Sequence, residues 1–390
     1  MEKSMSHTDR RKILTDGSRI IVEACVEAGA DTFVGYPITP SDLIYFYATK
    51  RFPVVLTAPD EITAIQWMSG LSATGKIPVT ATSFPGFALM VETINMAFMM
   101  ELPMVLILVQ RLGPSTGTAT QGAQGDLLLL RGLISGGHPI PTFCISSFED
   151  CWTLTALAVE KAVELRTPVV LLTSKEMVKT LRSFDKSILP EIRRVKHCLY
   201  DGEGDYQPYA PGENLVPPFL PVGNPKHQVR LTASTHDKNG LLQHPAGDAL
   251  ANTIRLEEKI RKNLPRYTVY ELDEEKDGKT LILSYGVTAL AAREATKILR
   301  GKGFPVSLLI AKTLLPVPKE YYRIFDRYER VLVAEENLGG QYCEILFGGV
   351  RPGKVAVVTS VAKMVPPQEL VNRVEEMGSG ERGEDEQKNP

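Results

Sequence analysis

Four stretches of this chain hold residues that could do chemistry, and each follows an apolar run that reads as a β-strand. After 32–34 comes Gly35-Tyr36-Pro37-Ile38-Thr39-Pro40-Ser41. Two prolines stiffen this turn, Pro40 is suited to open a helix, and Thr39 stands at or beside the N-cap. Hydroxyl and N–H groups at a helix N-terminus favour anions, although the same residues also make a plain capped turn. After 53–56 comes Ala58-Pro59-Asp60-Glu61, where Glu61 opens a helix. On position alone, a first-turn carboxylate does no more than compensate the helix dipole. After 78–82, Ser83-Phe84-Pro85-Gly86 makes another turn into a helix. The most apolar strand, 104–109, ends in Gln110-Arg111. An arginine there cannot reach water easily, so it calls for an anion, and its planar fork suits a carboxylate. A Gly/Ser/Thr-rich run from Gly113 to Asp126 follows, and structureless loops of that length inside compact domains are usually functional.

Other motifs fail on context. Gly70 to Lys76 spells GxxxxGK, but Ile77 stands where a phosphate-binding loop needs a hydroxyl, and the stretch ends a helix. Gly113 to Gly117 spells GxSxG, yet a loop follows it, and a nucleophile elbow turns straight into a helix. The glycines of the 113–126 loop lack GxGxxG spacing, and no HExxH occurs. His138, after Gly136-Gly137, is the one histidine placed to matter, with an ordinary loop histidine as the alternative.

The elements that must position these residues are strands alternating with helices of ten to fifteen residues, the pattern of a parallel sheet covered on both faces. In such sheets ligands bind beyond the carboxyl ends of the strands, where all four stretches fall. The expected fold is α/β with two parallel-sheet domains. Residues 10–182 form the first, 183–269 a connector and helix, 270–370 the second, and 371–390 an acidic disordered tail. Six prolines between Tyr206 and Pro225 exclude a central strand or long helix, so the connector reads as extended chain over the surface. Residues 375–390 carry six acidic and two basic side chains and no aromatic, too little apolar surface to offset ordering.

Composition narrows the class. With 44 basic and 46 acidic residues in 390, no excess charge exists to neutralise a nucleic acid. Apolar runs stop far short of a membrane span, and the polar N-terminus is unlike a secretory signal. Five scattered cysteines without a CxxC pair suggest reduced thiols in the cytoplasm, with no zinc or iron–sulfur site on this chain.

Taken in order, Gly35-Tyr36-Pro37-Ile38-Thr39-Pro40-Ser41, Asp60-Glu61-Ile62, Thr80 to Gly86, Val109 to Gly117 and Gln124-Gly125-Asp126-Leu127 resemble the α subunit of 2-oxoacid:ferredoxin oxidoreductases. Tyr285-Gly286 and Glu335 to Gly340 are similar to the C-terminal domain of transketolases. The resemblance implies a pyrimidine-type thiamine diphosphate domain followed by a transketolase C-terminal-like domain. It implies a subunit that helps decarboxylate a 2-oxoacid, of the 2-oxoglutarate or branched-chain type, to acyl-CoA and CO2, with electrons passed to ferredoxin. Glu61 would then bond the aminopyrimidine of thiamine diphosphate, which reverses the dipole reading, with Ser83, Phe84 and Pro85 alongside. Thr39 and Arg111 would hold the substrate, and Tyr36, Pro37 and Ile38 would line the pocket. Ser115, Thr116, Gly117, Gln124 and Asp126 would form the loop beside it. No metal ligand is expected here. Gly202-Glu203-Gly204-Asp205 is a poor imitation of the diphosphate motif, so Mg2+ and [4Fe-4S] clusters would sit on partners: a β subunit with the diphosphate site, a γ subunit and a ferredoxin-like δ subunit. Coenzyme A would be co-substrate. The family's Thr-Ser-Gly-Pro-Gly is here Thr82-Ser83-Phe84-Pro85-Gly86, which puts substrate identity in question. A non-oxidative thiamine diphosphate enzyme subunit and a non-catalytic assembly subunit are the alternatives.

Overall fold

The computed structural model describes residues 12–244 and 247–379. It begins with β1 (Lys12–Thr15), α1 (Gly17–Ala28), β2 (Thr32–Gly35), α2 (Asp42–Arg51), β3 (Val54–Thr57), α3 (Glu61–Ala73), β4 (Pro78–Thr82), α4 (Phe84–Met99) and β5 (Met104–Gln110). There follow α5 (Leu127–Arg131), β6 (Thr142–Cys144), α6 (Asp150–Leu165), β7 (Pro168–Ser174), α7 (Lys175–Lys179) and β8 (Arg182–Asp185). A long irregular segment leads to α8 (Gly247–Asn263), β9 (Tyr270–Asp273), β10 (Thr280–Ser284), α9 (Thr288–Gly301), β11 (Val306–Ala311) and β12 (Thr313–Leu315). The chain closes with α10 (Lys319–Phe325), β13 (Arg330–Glu335), α11 (Gln341–Phe347), β14 (Val355–Thr359) and α12 (Pro367–Ser379).

A seven-stranded sheet has the order β12-β6-β7-β5-β4-β2-β3, and a five-stranded sheet the order β14-β13-β10-β11-β9. β5 and β7 are buried along their whole length because helices cover both faces, which is why they read as unbroken apolar runs. From β2 the chain goes outward to β3 and then returns to β4 on the other side of β2. That reversal opens a crevice at the carboxyl ends of β2 and β4, the usual place for a ligand.

The α/β class is as expected, and both sheets are parallel apart from one antiparallel edge strand each, β12 against β6 and β9 against β11. Two expectations of extent need correction. β12 comes from the second half of the chain yet joins the first sheet, so no clean cut falls at 269/270. Helix α12 occupies residues 367–379, so 371–379 are helical where a disordered tail was expected, and 380–390 lie outside the described residues. The helix is amphipathic enough to bury Leu370, Val371 and Val374 against the second sheet's core.

The proline-rich connector is also more than chain laid on the surface. Tyr206, Tyr209, Phe219 and Leu220 are buried, so it is a strap with its own anchors. Its prolines lack N–H groups, and the carbonyls of Pro208, Pro217 and Pro218 accept from Arg166 Nη1 at 3.1, 3.3 and 2.9 Å.

Candidate functional site

The crevice is built from helix and strand ends. Asp60 caps α3, its carboxylate accepting from Thr63 N at 2.7 Å, and this places Glu61 in the first helical position. Glu61 is only 5% exposed. Burial lifts its carboxyl above the ordinary range and the Asp60 charge adds to the lift, while a contact with the Thr82 hydroxyl at the end of β4 opposes it. Gly86, in the first turn of α4, lies against this pair. A Cβ at that position would overlap both the Glu61 carboxyl and the Thr82 hydroxyl, so the close approach needs glycine. Ser83 caps α4 by position, but its hydroxyl is buried without a partner, as is that of Thr80. Phe84 and Pro85 open α4 and are half-buried.

The loop after β2 approaches from the other side. Ser41, not Thr39, is the N-cap residue of α2; Thr39 and Pro40 lie in a turn before it. The Ser41 hydroxyl lies 2.8 Å from the Ile38 carbonyl and 3.4 Å from that of Ala81 on β4. Tyr36 and Pro37 are exposed, and Ile38 and Thr39 half-buried. Arg111 Nη1 donates to the Thr39 carbonyl at 2.7 Å, which joins the β2 loop to the end of β5. Arg111 is 6% exposed, its Nε has no partner, and no described carboxylate pairs with it. Burial lowers its pKa, as expected for a cation without a counter-charge.

Beyond Arg111, the tip of the loop with Ser115, Thr116 and Gly117 is exposed, and Ser115 and Gly117 have φ of +56° and +48°. Asp126 is 4% exposed beside Gln110; burial pushes its carboxyl up to about 6 against the pull of the Gln110 amide. Gln124 is not at the mouth of the crevice. Its side chain is buried against the second sheet, with Nε2 donating to the Tyr285 carbonyl at 2.9 Å. His138 sits away from the crevice, its ring 5.7 Å from that of Phe98. The structure thus brings Glu61 together with the Ser83–Pro85 turn and Arg111 together with Thr39, and sends Gln124 elsewhere. Sequence reasoning missed Thr82, Gly86 and Gln110 as site residues. Gly86 had a signal: a glycine inside a first helical turn is unfavourable unless something approaches closely.

The chain as a whole has known relatives. Residues 23–256 match the family model for pyruvate flavodoxin/ferredoxin oxidoreductase, thiamine diphosphate binding. The chain is 31% identical over 366 residues to the 2-oxoglutarate synthase subunit KorA of Methanocaldococcus jannaschii, covering 92% of this chain and 98% of that one. It is 32% identical over 338 residues to the 2-oxoglutarate oxidoreductase subunit KorA of Mycobacterium tuberculosis, covering 84% of this chain and 51% of that longer protein. Among solved structures, the 2-oxoglutarate:ferredoxin oxidoreductase of Magnetococcus marinus, with 2-oxoglutarate, coenzyme A and succinyl-CoA bound, superposes with a TM-score of 0.88 at 28% identity. That match covers 94% of this chain and 65% of the other. A split-gene transketolase, solved as an inactive β4 tetramer, shares the fold at a TM-score of 0.53 and 16% identity, over 93% of this chain and 96% of that one. With the family model spanning more than half its length and full-length relatives above 30% identity, the chain belongs to the 2-oxoacid:ferredoxin oxidoreductase family, as a subunit of the α type.

Proposed function

We propose that this chain is the α subunit of an enzyme that oxidatively decarboxylates a 2-oxoacid to an acyl-CoA and CO2 and passes two electrons to ferredoxin. The relatives it matches along their whole length are named for 2-oxoglutarate, which favours that acid over a branched-chain one. The observation that carries the reading is Glu61: an acid removed from water, inclined to keep its proton, and cradled by a glycine that leaves one face of it clear.

These residues fit the aminopyrimidine half of thiamine diphosphate. Bound there, that cofactor supplies the carbon nucleophile for the 2-oxo group and accepts the charge left as CO2 departs. Glu61 would share a proton with a ring nitrogen, and burial favours its protonated form. The Ser83 hydroxyl, which has no partner, and the Phe84-Pro85 turn would border the ring. Arg111 offers its free Nε edge to the substrate carboxylate, while Nη1 stays on the Thr39 carbonyl and keeps the guanidinium in place. Tyr36, Pro37, Ile38 and the Thr39 hydroxyl line the same opening, and Ser115, Thr116 and Gly117 form its cover. The first sheet acts as the pyrimidine-type half of the site and the second as the transketolase C-terminal-like half. The diphosphate, Mg2+ and [4Fe-4S] clusters belong to β, γ and δ partners, in the cytoplasm.

The test is Glu61→Gln in the reconstituted complex. Hydrogen–deuterium exchange at C2 of bound thiamine diphosphate is expected to slow by about 100-fold or more, the usual scale of a lost acid–base group. Exchange at the wild-type rate would remove Glu61 from this role.

A further inference from the structure

The loop that follows Arg111 is held very differently at its two ends. Near Arg111 only its own backbone closes it: Leu112 N donates to the Gln121 carbonyl at 2.8 Å and Thr118 N to the Leu112 carbonyl at 3.0 Å. The tip, 113–118, is exposed. From Thr120 onward, other elements take hold. Lys175 Nζ on α7 donates to the Thr120 carbonyl at 2.8 Å, and the Glu176 carboxylate lies so close to Gly122 that a Cβ would not fit.

Gln124 has the most of these attachments, and all its partners lie just past the ends of β10 and β13 of the second sheet. Its backbone N–H donates to the Glu336 carbonyl at 2.8 Å, and its carbonyl accepts from Asn337 Nδ2 at 3.2 Å. Oε1 accepts from Glu336 N at 2.7 Å and from the Thr288 hydroxyl at 2.8 Å, while Nε2 donates to the Tyr285 carbonyl. Gly286, at φ +58°, supplies the room, since a Cβ there would overlap the Gln124 amide. Two residues on, Asp126 is buried close to Gln110, the last residue of β5 and the neighbour of Arg111. The attached end of the loop thus lies against the strand that carries Arg111.

We propose that Gln124 is a positioning residue for the 2-oxoacid: through it the second sheet sets the loop from Arg111 to Asp126, and with it the pocket for the substrate carboxylate. This rests on the function proposed above. Gln124 touches neither substrate nor cofactor. It fixes the far end of the loop so that Ser115 and Thr116 come down over an acid already bound to Arg111. Binding strength then depends on a part of the chain remote from the chemistry.

The reconstituted complex tests this with Gln124→Ala, Thr288→Val and Thr288→Ser. Gln124→Ala is expected to raise KM for 2-oxoglutarate about tenfold, the worth of one or two net hydrogen bonds, with kcat changed less than KM and KM for coenzyme A unchanged. Amide exchange at 113–118 should speed up in the isolated subunit. Thr288→Val should shift both readouts in the same direction by less, and Thr288→Ser, which keeps the hydroxyl, should restore them. If KM and loop exchange stay at wild-type values while the melting temperature falls, Gln124 only joins two sheets and the proposal is overturned. Should Gln124→Ala not fold, wild-type behaviour of Thr288→Val overturns it equally. A wild-type complex that turns over no 2-oxoacid would sink the functional reading instead, and loop exchange would still report on the attachment.

Discussion

Arg111 and Glu61 share one physical condition: each is an ionisable side chain taken out of water with no opposite charge beside it. Burial acts on the two in opposite senses. It favours the protonated acid, which would suit the proton-sharing role proposed for it. The guanidinium cannot give its proton up and so retains an unmet demand for an anion. Arg111→Ala is therefore expected to weaken 2-oxoacid binding by about 2–4 kcal/mol, read as a rise in KM of roughly 30- to 1000-fold. Arg111→Lys should recover little of this, because a lysine ammonium cannot both hold the Thr39 carbonyl and present a flat second edge. An unchanged KM in Arg111→Ala would take the residue out of the pocket. Position in the sequence was enough to single out Arg111, since an arginine ending an apolar strand has few ordinary explanations. Glu61 had one in the helix dipole, and only the family resemblance singled it out. Its burial and the Gly86 cradle depend on α4 meeting α3, a contact between elements that no local pattern encodes.

Strand and helix ends explain most of what the sequence made legible and most of what it hid. The parallel strands β2, β4, β5, β7, β10, β11, β13 and β14 announced themselves as apolar runs because helices cover both faces. The strands that escaped notice are short pieces, the edge strands β1, β8, β9 and β12 and the three-residue β6, whose pairing is set by distant partners and not by their own pattern. The turn predicts Thr39 at or beside the N-cap; Ser41 occupies that position and Thr39 serves through its carbonyl. The end of β13 was noted only as a family signature, and its chemistry is specific. Glu336 is buried where the Gln124 loop joins the second sheet; burial, with Glu176 near, pushes its carboxyl up to about 7. A carboxyl raised on folding adds no penalty while protonated, below its unfolded value near 4.5. Ionisation then destabilises the fold progressively as pH climbs through about 7. By pH 8 that cost is of order 3 kcal/mol. Glu336→Gln keeps the oxygen that accepts from Val365 N and cannot ionise. Its stability should match wild type below about pH 4 and exceed it by pH 8 in denaturant titrations of the isolated subunit. A difference independent of pH would mean that the carboxyl is already solvated.

Across the whole molecule, the end of α4 beside the first sheet, the strap and α8 are tied together at Glu101, a residue that no motif or periodicity singles out. It sits at φ +53° just after α4, fully buried, and accepts from Lys259 Nζ at 2.7 Å and from both terminal nitrogens of Arg255, one of them at 3.2 Å. Arg255 continues to the Leu215 carbonyl of the strap at 2.8 Å and to Asn252, whose amide meets His236 Nε2 at 3.0 Å. Lys259 also reaches the Arg166 carbonyl at 3.2 Å, the residue that satisfies the strap's prolines. Proline takes donors away from this segment, so buried charges elsewhere add to the backbone bonds it keeps, such as Val222 N to the Ala73 carbonyl at 2.8 Å, and composition alone made it look like linker. Desolvation works against ionised Glu101, but the Lys259, Arg255 and Arg166 charges outweigh it and hold the carboxyl down to about 2. Its stabilisation is therefore present above the unfolded value and lost only in strong acid. Glu101→Gln leaves two buried cations facing an amide, so about 3–5 kcal/mol of stability should disappear. Lys259, already lowered to about 8 by burial, would shed its proton more readily in that variant and soften the loss at high pH. Adding Lys259→Met to Glu101→Gln removes one stranded charge. Urea midpoints of the double variant should lie above those of Glu101→Gln alone, and strictly additive losses would show that the three groups do not act as one network.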